Sequence, residues 1–265
     1  MGKGTLISKF MLTALILVSG TSLGLISPVS ATTFCTPVTP TDAKFGSLIT
    51  AAKVAITGQT ITGDVDATGC DAGVYIGPGV TGVTVTAAVH DASQVNIFND
   101  GGTVTVTGST VTNVGAHTGT AFTPNGVQTG IGVYFSCGGT GIISSNTINQ
   151  YQKGGITVRD LDGVTVTGNT VTGLGVVNFI AQNGIEFGFG TCGPTVSTSN
   201  VGQVTGNTVT DNQYNGNGGR APPPFISTGI LAQATSGTKV GPIQSALVTS
   251  NTVFRNQGNV VVIVG

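Results

Sequence analysis

Residues 164–173 read VTVTGNTVTG, and the stretch recurs as VTVTGSTVTN at 104–113 and as GQVTGNTVTD at 202–211. Valine and threonine alternate on both sides of a Gly-Asn or Gly-Ser pair. Such alternation turns one face of an extended chain inward and the other outward. Glycine and asparagine tolerate the left-handed backbone of a tight turn. The ten residues therefore predict a strand, a corner and the start of the next strand.

Working outward, five copies of the corner align: GSTVT at 108–112, SNTIN at 145–149, GNTVT at 168–172, GNTVT at 206–210 and SNTVF at 250–254. Upstream of each lies a short apolar motif, often opening on glycine: VNIF at 95, GVYF at 132, GITV at 155, GIEF at 184 and GILA at 229. GVYI at 73 and VVVI at 260 extend the series. The shortest complete unit, 132–154, has 23 residues. Val106, Ile143, Val166, Val204 and Val248 form one inward column, and Val111, Ile148, Val171, Val209 and Val253 a second. A unit this small cannot bury its apolar face alone; stacking neighbours creates a continuous core.

Composition agrees. Charged residues are 7% of the chain and there are 43 glycines, which with the β-branched residues penalises helices. The regular Val and Ile positions exclude disorder. The first 31 residues carry Lys3 and Lys9, an apolar run from Phe10 to Val18 and a small-residue Val29-Ser30-Ala31 ending. They predict a signal peptide (1–31) and a secreted mature chain, 32–265, without a transmembrane segment. Seven basic residues then face ten acidic ones, a net charge of about −3, which argues against nucleic acid as a partner. Four cysteines in an exported chain suggest disulfides with three possible pairings. Proximity in sequence favours Cys35–Cys70 and Cys137–Cys192. A zinc site is the alternative, without a Cys-x-x-Cys to support it.

The units resemble the repeats of right-handed parallel β-helix proteins of the pectate-lyase-like superfamily, over residues 73–265. The resemblance implies an all-β, right-handed single-stranded parallel β-helix. Asn146, Asn169, Asn207 and Asn251 would stack on one corner and hydrogen-bond along the axis, with Ser109 breaking the column. Residues 32–72 would supply an N-terminal cap and the first strands. Phe45, Leu48, Ile49 and Ala52 sit at helical spacing within 42–55 and predict a short capping helix over the first repeat. The chain ends on the uncapped strand NVVVIVG.

Insertions concentrate at one corner, giving long loops at 113–130, 173–183 and 211–228 that overhang the strand after them. By resemblance, that strand face builds a polysaccharide cleft. Its outward positions are Tyr134, Thr157, Glu186 and Leu231. Glu186 is the only glutamate in the chain and stands inside the apolar GIEFGFG. Its carboxylate suits a general base, a sugar-hydroxyl acceptor or a cation ligand; a surface pair with Arg159 is the ordinary alternative. Arg159 would neutralise a uronic carboxylate or join in proton abstraction, and Asp160 would supply the partner carboxylate. Tyr134 would stack on a sugar ring, with Thr157, Lys153, Asn183 and the loop residue His117 as further substrate contacts. No cofactor is required by these residues, although Asp64, Asp66 and Asp71 of DVDATGCD form a candidate calcium site or simply turn-forming aspartates. The expected function is binding, and on an enzymatic reading lyase- or hydrolase-like cleavage, of an extracellular polysaccharide or cell-wall glycan. The alternatives are a non-catalytic adhesive protein and, from the outward threonine columns, ice binding.

Overall fold

A computed structural model describes residues 34–136, 138–161, 163–188, 202–216, 225–234 and 246–264. Among these residues there is no α-helix, and the strands gather into one nine-stranded and one twelve-stranded sheet beside a small hairpin. The seven apolar motifs are seven consecutive parallel strands of the nine-stranded sheet: Ala72–Ile76, Val95–Asn99, Ile131–Phe135, Gly154–Val158, Asn183–Phe187, Thr228–Ala234 and Gly258–Val264. The twelve-stranded sheet holds the strands on both sides of every Gly-Asn or Ser-Asn corner, and the chain passes between the two sheets once per repeat.

Register follows the predicted columns. Val106, Ile143, Val166, Val204 and Val248 pair in succession, as do Val111, Ile148, Val171, Val209 and Val253. The facing sheet stacks Val74, Ile97, Val133, Ile156, Ile185, Ile230 and Val260. These side chains make one core, buried up to the last repeat, where Val248 and Val260 are exposed. The glycine that opens most of the apolar motifs has a steric cause. A Cβ at Gly155, Gly184 or Gly229 would collide with a valine of the opposite column, Val171, Val209 or Val253, and with the carbonyl of the next repeat.

The corner asparagines form a continuous ladder. Asn169 Oδ1 accepts from the Asn146 backbone N–H (3.1 Å) and side-chain amide (2.9 Å). Its own Nδ2 donates to Ile143 O (2.9 Å) and Asn207 Oδ1 (2.8 Å). Asn207 and Asn251 repeat the pattern. Ser109, expected to break the column, ends it instead. Its N–H donates to Asn146 Oδ1 (2.9 Å), and its hydroxyl donates to Val85 O (3.1 Å), the slot an amide fills elsewhere. Strand Val83–His90 runs straight through this level without a corner, pairing with the strands on both sides of Ser109, so there is no asparagine further along to meet.

The predicted capping helix is absent. Gly46 N–H donates to Asp42 O and Ile49 N–H to Phe45 O, but residues 43–48 form turns and Ala51–Ile56 is a strand parallel to Ala72–Ile76. The N–H groups of Thr50 and Ala51, which would extend a helix, go to the Asp71 carboxylate. A helix this short gains little on its own, so strand pairing wins. Nor does the segment sit over the end of the stack. Phe45 and Ile49 cover the outer face of the nine-stranded sheet, making a second apolar core with Tyr75, Phe98 and Tyr134. Leu48, expected beside them, is exposed.

Buried carboxylates fasten this segment. Asp100 accepts from five donors: Thr41 N–H and hydroxyl, Asp42 N–H, Tyr75 OH and Ser136 OH, at 2.6–3.2 Å. Asp42 accepts from Lys44 N–H, Phe45 N–H and Tyr134 OH. The Cys35–Cys70 disulfide ties down the segment's start. Cys137 and Cys192 lie outside the described residues.

Two outcomes follow from these contacts. Asn169→Ala leaves the Asn146 N–H without its acceptor and takes the amide donor from Ile143 O, and denaturant unfolding should show a loss of about 3 kcal/mol. The exposed Thr170→Ala should stay within about 0.5 kcal/mol. Asp100→Ala should raise amide exchange across 38–49 while the Asn-corner strands keep their protection, because it unfastens the outer segment and leaves the inner core intact.

Candidate functional site

The outward line of the nine-stranded sheet runs Ala55, Tyr75, Phe98, Tyr134, Thr157, Glu186, Leu231 and Val261 in successive register. The N-terminal segment covers its first half. Beyond Thr157 the cover changes to the long loops, and a cleft of about 800 Å³ opens around Glu186. Gln128 from loop 113–130, Phe179 to Ala181 from loop 173–183, and Tyr214, Phe225 and Ile226 from loop 211–228 all line it. The three insertions thus converge on one site.

Glu186 is 6% exposed and its Oε2 accepts from Asn183 Nδ2 at 2.8 Å. Asn183 is fixed in turn by Thr228, whose hydroxyl donates to Asn183 Oδ1 (2.9 Å). Lys153 lines the same floor, its Nζ donating to Ala181 O (2.8 Å), and Lys44 reaches in from the N-terminal segment. Burial lowers the pKa of both lysines from 10.5, and the negative charge of Glu186 works against that shift. Lys44 also feels the positive charge of Arg159. Ile131, Ile180, Leu231, Val261 and Ile263 make much of the remaining lining apolar. The site is a greasy cleft with ionic groups at its base. An anionic group entering it would meet lysines that have lost much of their water.

Among the sequence-predicted residues, Glu186, Lys153 and Asn183 come together here. Thr157 lies beside Glu186 but is buried, its hydroxyl without a hydrogen-bond partner. Arg159 and Asp160 follow strand Gly154–Val158, are half-buried and do not line the cleft. Tyr134 requires correction. It is fully buried, donates to Asp42 Oδ2 (2.9 Å) and packs at 4.9 Å from the Phe45 ring, so it offers no face to a sugar. Burial pushes its phenol pKa up and keeps it a neutral donor.

His117 also moves. Instead of overhanging Glu186 it turns to the twelve-stranded sheet, with Nε2 3.3 Å from Asp91 Oδ1 and Nδ1 2.9 Å from Gly115 O. The candidate calcium set separates for a similar reason. Asp71 binds Thr50 and Ala51, whereas Asp64 and Asp66 stand with His90 on neighbouring outward positions.

Sequence reasoning missed Lys44, whose contribution depends on where the N-terminal segment lies. It also missed the glutamines that shape the loops. Gln152 Oε1 accepts from Ala116 and Asn125 N–H, and its Nε2 donates to Val127 and Thr129 carbonyls. Gln182 holds Leu174 N–H and the carbonyls of Tyr151 and Gln152. Their recurrence just before the apolar motifs, with Gln94 and Gln257, was the available signal. Comparison with known proteins matches the chain to no family model, no curated protein and no solved structure.

Proposed function

We propose that the chain is a secreted right-handed parallel β-helix protein of the pectate-lyase-like kind whose cleft binds an acidic extracellular polysaccharide. The observation that carries the reading is that Glu186, Lys44 and Lys153 line one apolar-walled cleft and feel one another's charge. A uronic carboxylate would offset the desolvation of the two lysines. The C–H faces of the sugar rings would pack on Phe179 and Phe225, and Glu186 with Asn183 would take a hydroxyl. Secretion accords with the leader-like residues 1–31, which lie outside the described residues, and with a disulfide. No helix among the described residues is long and apolar enough to cross a membrane. Glu186 is the one carboxylate lining the cleft among the described residues. Glycosidase chemistry takes two, so the lining does not supply hydrolysis by that route and supports binding.

Calorimetric titration with a uronic-acid oligomer and a neutral oligomer of equal length tests this. The acidic oligomer should bind at least about 10-fold tighter, and Lys153→Met should remove that preference. Equal affinity for the two oligomers, or binding of neither, would overturn the proposal. The polymer should stay uncut with and without calcium. The pH dependence has a defined sign. The lysines attract an anion only while protonated, and burial sets their pKa below 10.5. Affinity should therefore fall on alkaline titration before pH 10.5, and Lys153→Arg should extend it to higher pH.

One observation favours a second reading. Thr110, Thr147, Thr170, Thr208 and Thr252 stand in register along the twelve-stranded sheet, as an ice-binding face would. Absence of ice-recrystallisation inhibition at high protein concentration removes that reading.

A further inference from the structure

Both histidines of the chain meet at one place outside the cleft. His90 ends strand Val83–His90 and pairs with Asp66 of the preceding repeat, so both project from the same outer face. Asp91 follows at once, and its carboxylate folds back onto the His90 ring. Ligand atoms of Asp66, His90 and Asp91 all lie within 4.8 Å of one another. Asp64 and His117 flank them.

The hydrogen bonds of this cluster do not balance with neutral rings. His90 Nδ1 faces Asp91 Oδ2 at 2.6 Å, and Nε2 faces Asp64 Oδ1 at 3.1 Å. His117 Nδ1 faces Gly115 O at 2.9 Å, and Nε2 faces Asp91 Oδ1 at 3.3 Å. All four partners are carboxylate or carbonyl oxygens. A neutral imidazole carries one N–H, so each ring needs a second proton or a metal ion to satisfy both of its contacts. Three carboxylates add to the excess of negative charge. A divalent cation on one nitrogen of His90 leaves the other free to donate and offsets the negative charge of the carboxylates.

We infer that Asp66, His90 and Asp91 form a binding site for a divalent first-row transition metal of the zinc class, with Asp64 and His117 as its outer support. With the metal on His90 Nδ1, the nitrogen beside Asp91, the Asp64 carboxylate is placed to receive the Nε2–H. That carboxylate–histidine–metal arrangement is the usual way such a ring is oriented. Imidazole with carboxylates suits zinc, cobalt, nickel or copper. Calcium wants about six to eight oxygens at longer range and would leave the His90 ring unused. Donors around zinc at about 2.0–2.2 Å stand closer together than 4.8 Å, so the Asp66 carboxylate, which is exposed, moves inward and releases Thr68 N–H. With three protein ligands the metal keeps a position open to water or an exogenous ligand.

The test is titration of the metal-stripped full chain with zinc, by calorimetry, and with cobalt, by visible absorption. One equivalent of zinc should bind, excess calcium should not displace it, and the cobalt form should show ligand-field bands. Asp66→Asn and His90→Asn should each weaken zinc binding by about 100-fold or more, and His117→Asn by about 10-fold through Asp91. Asp211→Asn, which removes a half-buried carboxylate paired with Arg255 elsewhere, should bind zinc like the parent chain. Asp66 is exposed, so its variant remains informative if His90→Asn fails to fold. No stoichiometric zinc binding, retention of affinity in Asp66→Asn, or equal loss in Asp211→Asn overturns the inference.

Discussion

From Ser109 to Asn251 the repeats depend on one constraint: the corner must place its backbone N–H where the next repeat's asparagine can accept it. The turn leaves that N–H buried and unable to join a strand ladder, and an unpaired buried N–H is costly. Each asparagine Oδ1 satisfies the N–H of the preceding corner, and each Nδ2 satisfies a carbonyl of the neighbouring strand in the preceding repeat. A one-residue slip would break this contact at every corner and turn the Val and Ile columns outward. Polar ladder and apolar column therefore enforce the same register. The glycines Gly155, Gly184 and Gly229 complete the constraint, since only a hydrogen lets the two sheets approach at the level of the valines.

What could be read from the sequence follows from that periodicity. The columns, the apolar strands and the corner residues repeat, so alignment of the chain with itself exposes them. The N-terminal segment has no second copy. Its helical spacing at Phe45, Ile49 and Ala52 is real as a pattern, and Phe45 and Ile49 do share a buried face. The pattern does not reveal that Asp71 takes the helix-extending N–H groups, or that the buried face lies against Tyr75, Phe98 and Tyr134 rather than over the first repeat. The same gap explains Tyr134 and His117. Alternation correctly points Tyr134 outward from the sheet, but outward from a sheet is not outward to solvent once another segment lies on it. For His117, the loop was assigned to a side by its corner, while its ring is drawn to Asp91.

The outer line of the nine-stranded sheet shows how one surface is divided between stability and a site. Where outward residues are aromatic, the N-terminal segment covers them, and three aspartates fasten it: Asp42, Asp71 and Asp100. Where the line reaches Glu186, loops of unequal length replace that cover and leave space. Lys44 sits at the junction of the two regimes, so the segment that buries the aromatics also lends a cation to the cleft. Glu186 was legible as an oddity because it is the sole glutamate; its cationic neighbours were legible only in part, Lys153 from the strand register and Lys44 not at all.

A buried glutamate and two desolvated lysines would be a poor choice if stability alone mattered. Replacing such groups by apolar residues of similar volume is often neutral or stabilising, and the cleft is already walled by Ile131, Ile180, Leu231 and Val261. An all-apolar continuation would have cost the fold little and would have allowed the loops to close on the sheet. The charges instead keep the cleft unfit for complete burial and give it a preferred occupant, an anion with an apolar body. The loops then gain a definite role. Gln152 and Gln182 pin loops 113–130 and 173–183 from inside by side-chain amides. The insertions are thus held open at a set distance from Glu186 rather than left to collapse onto it.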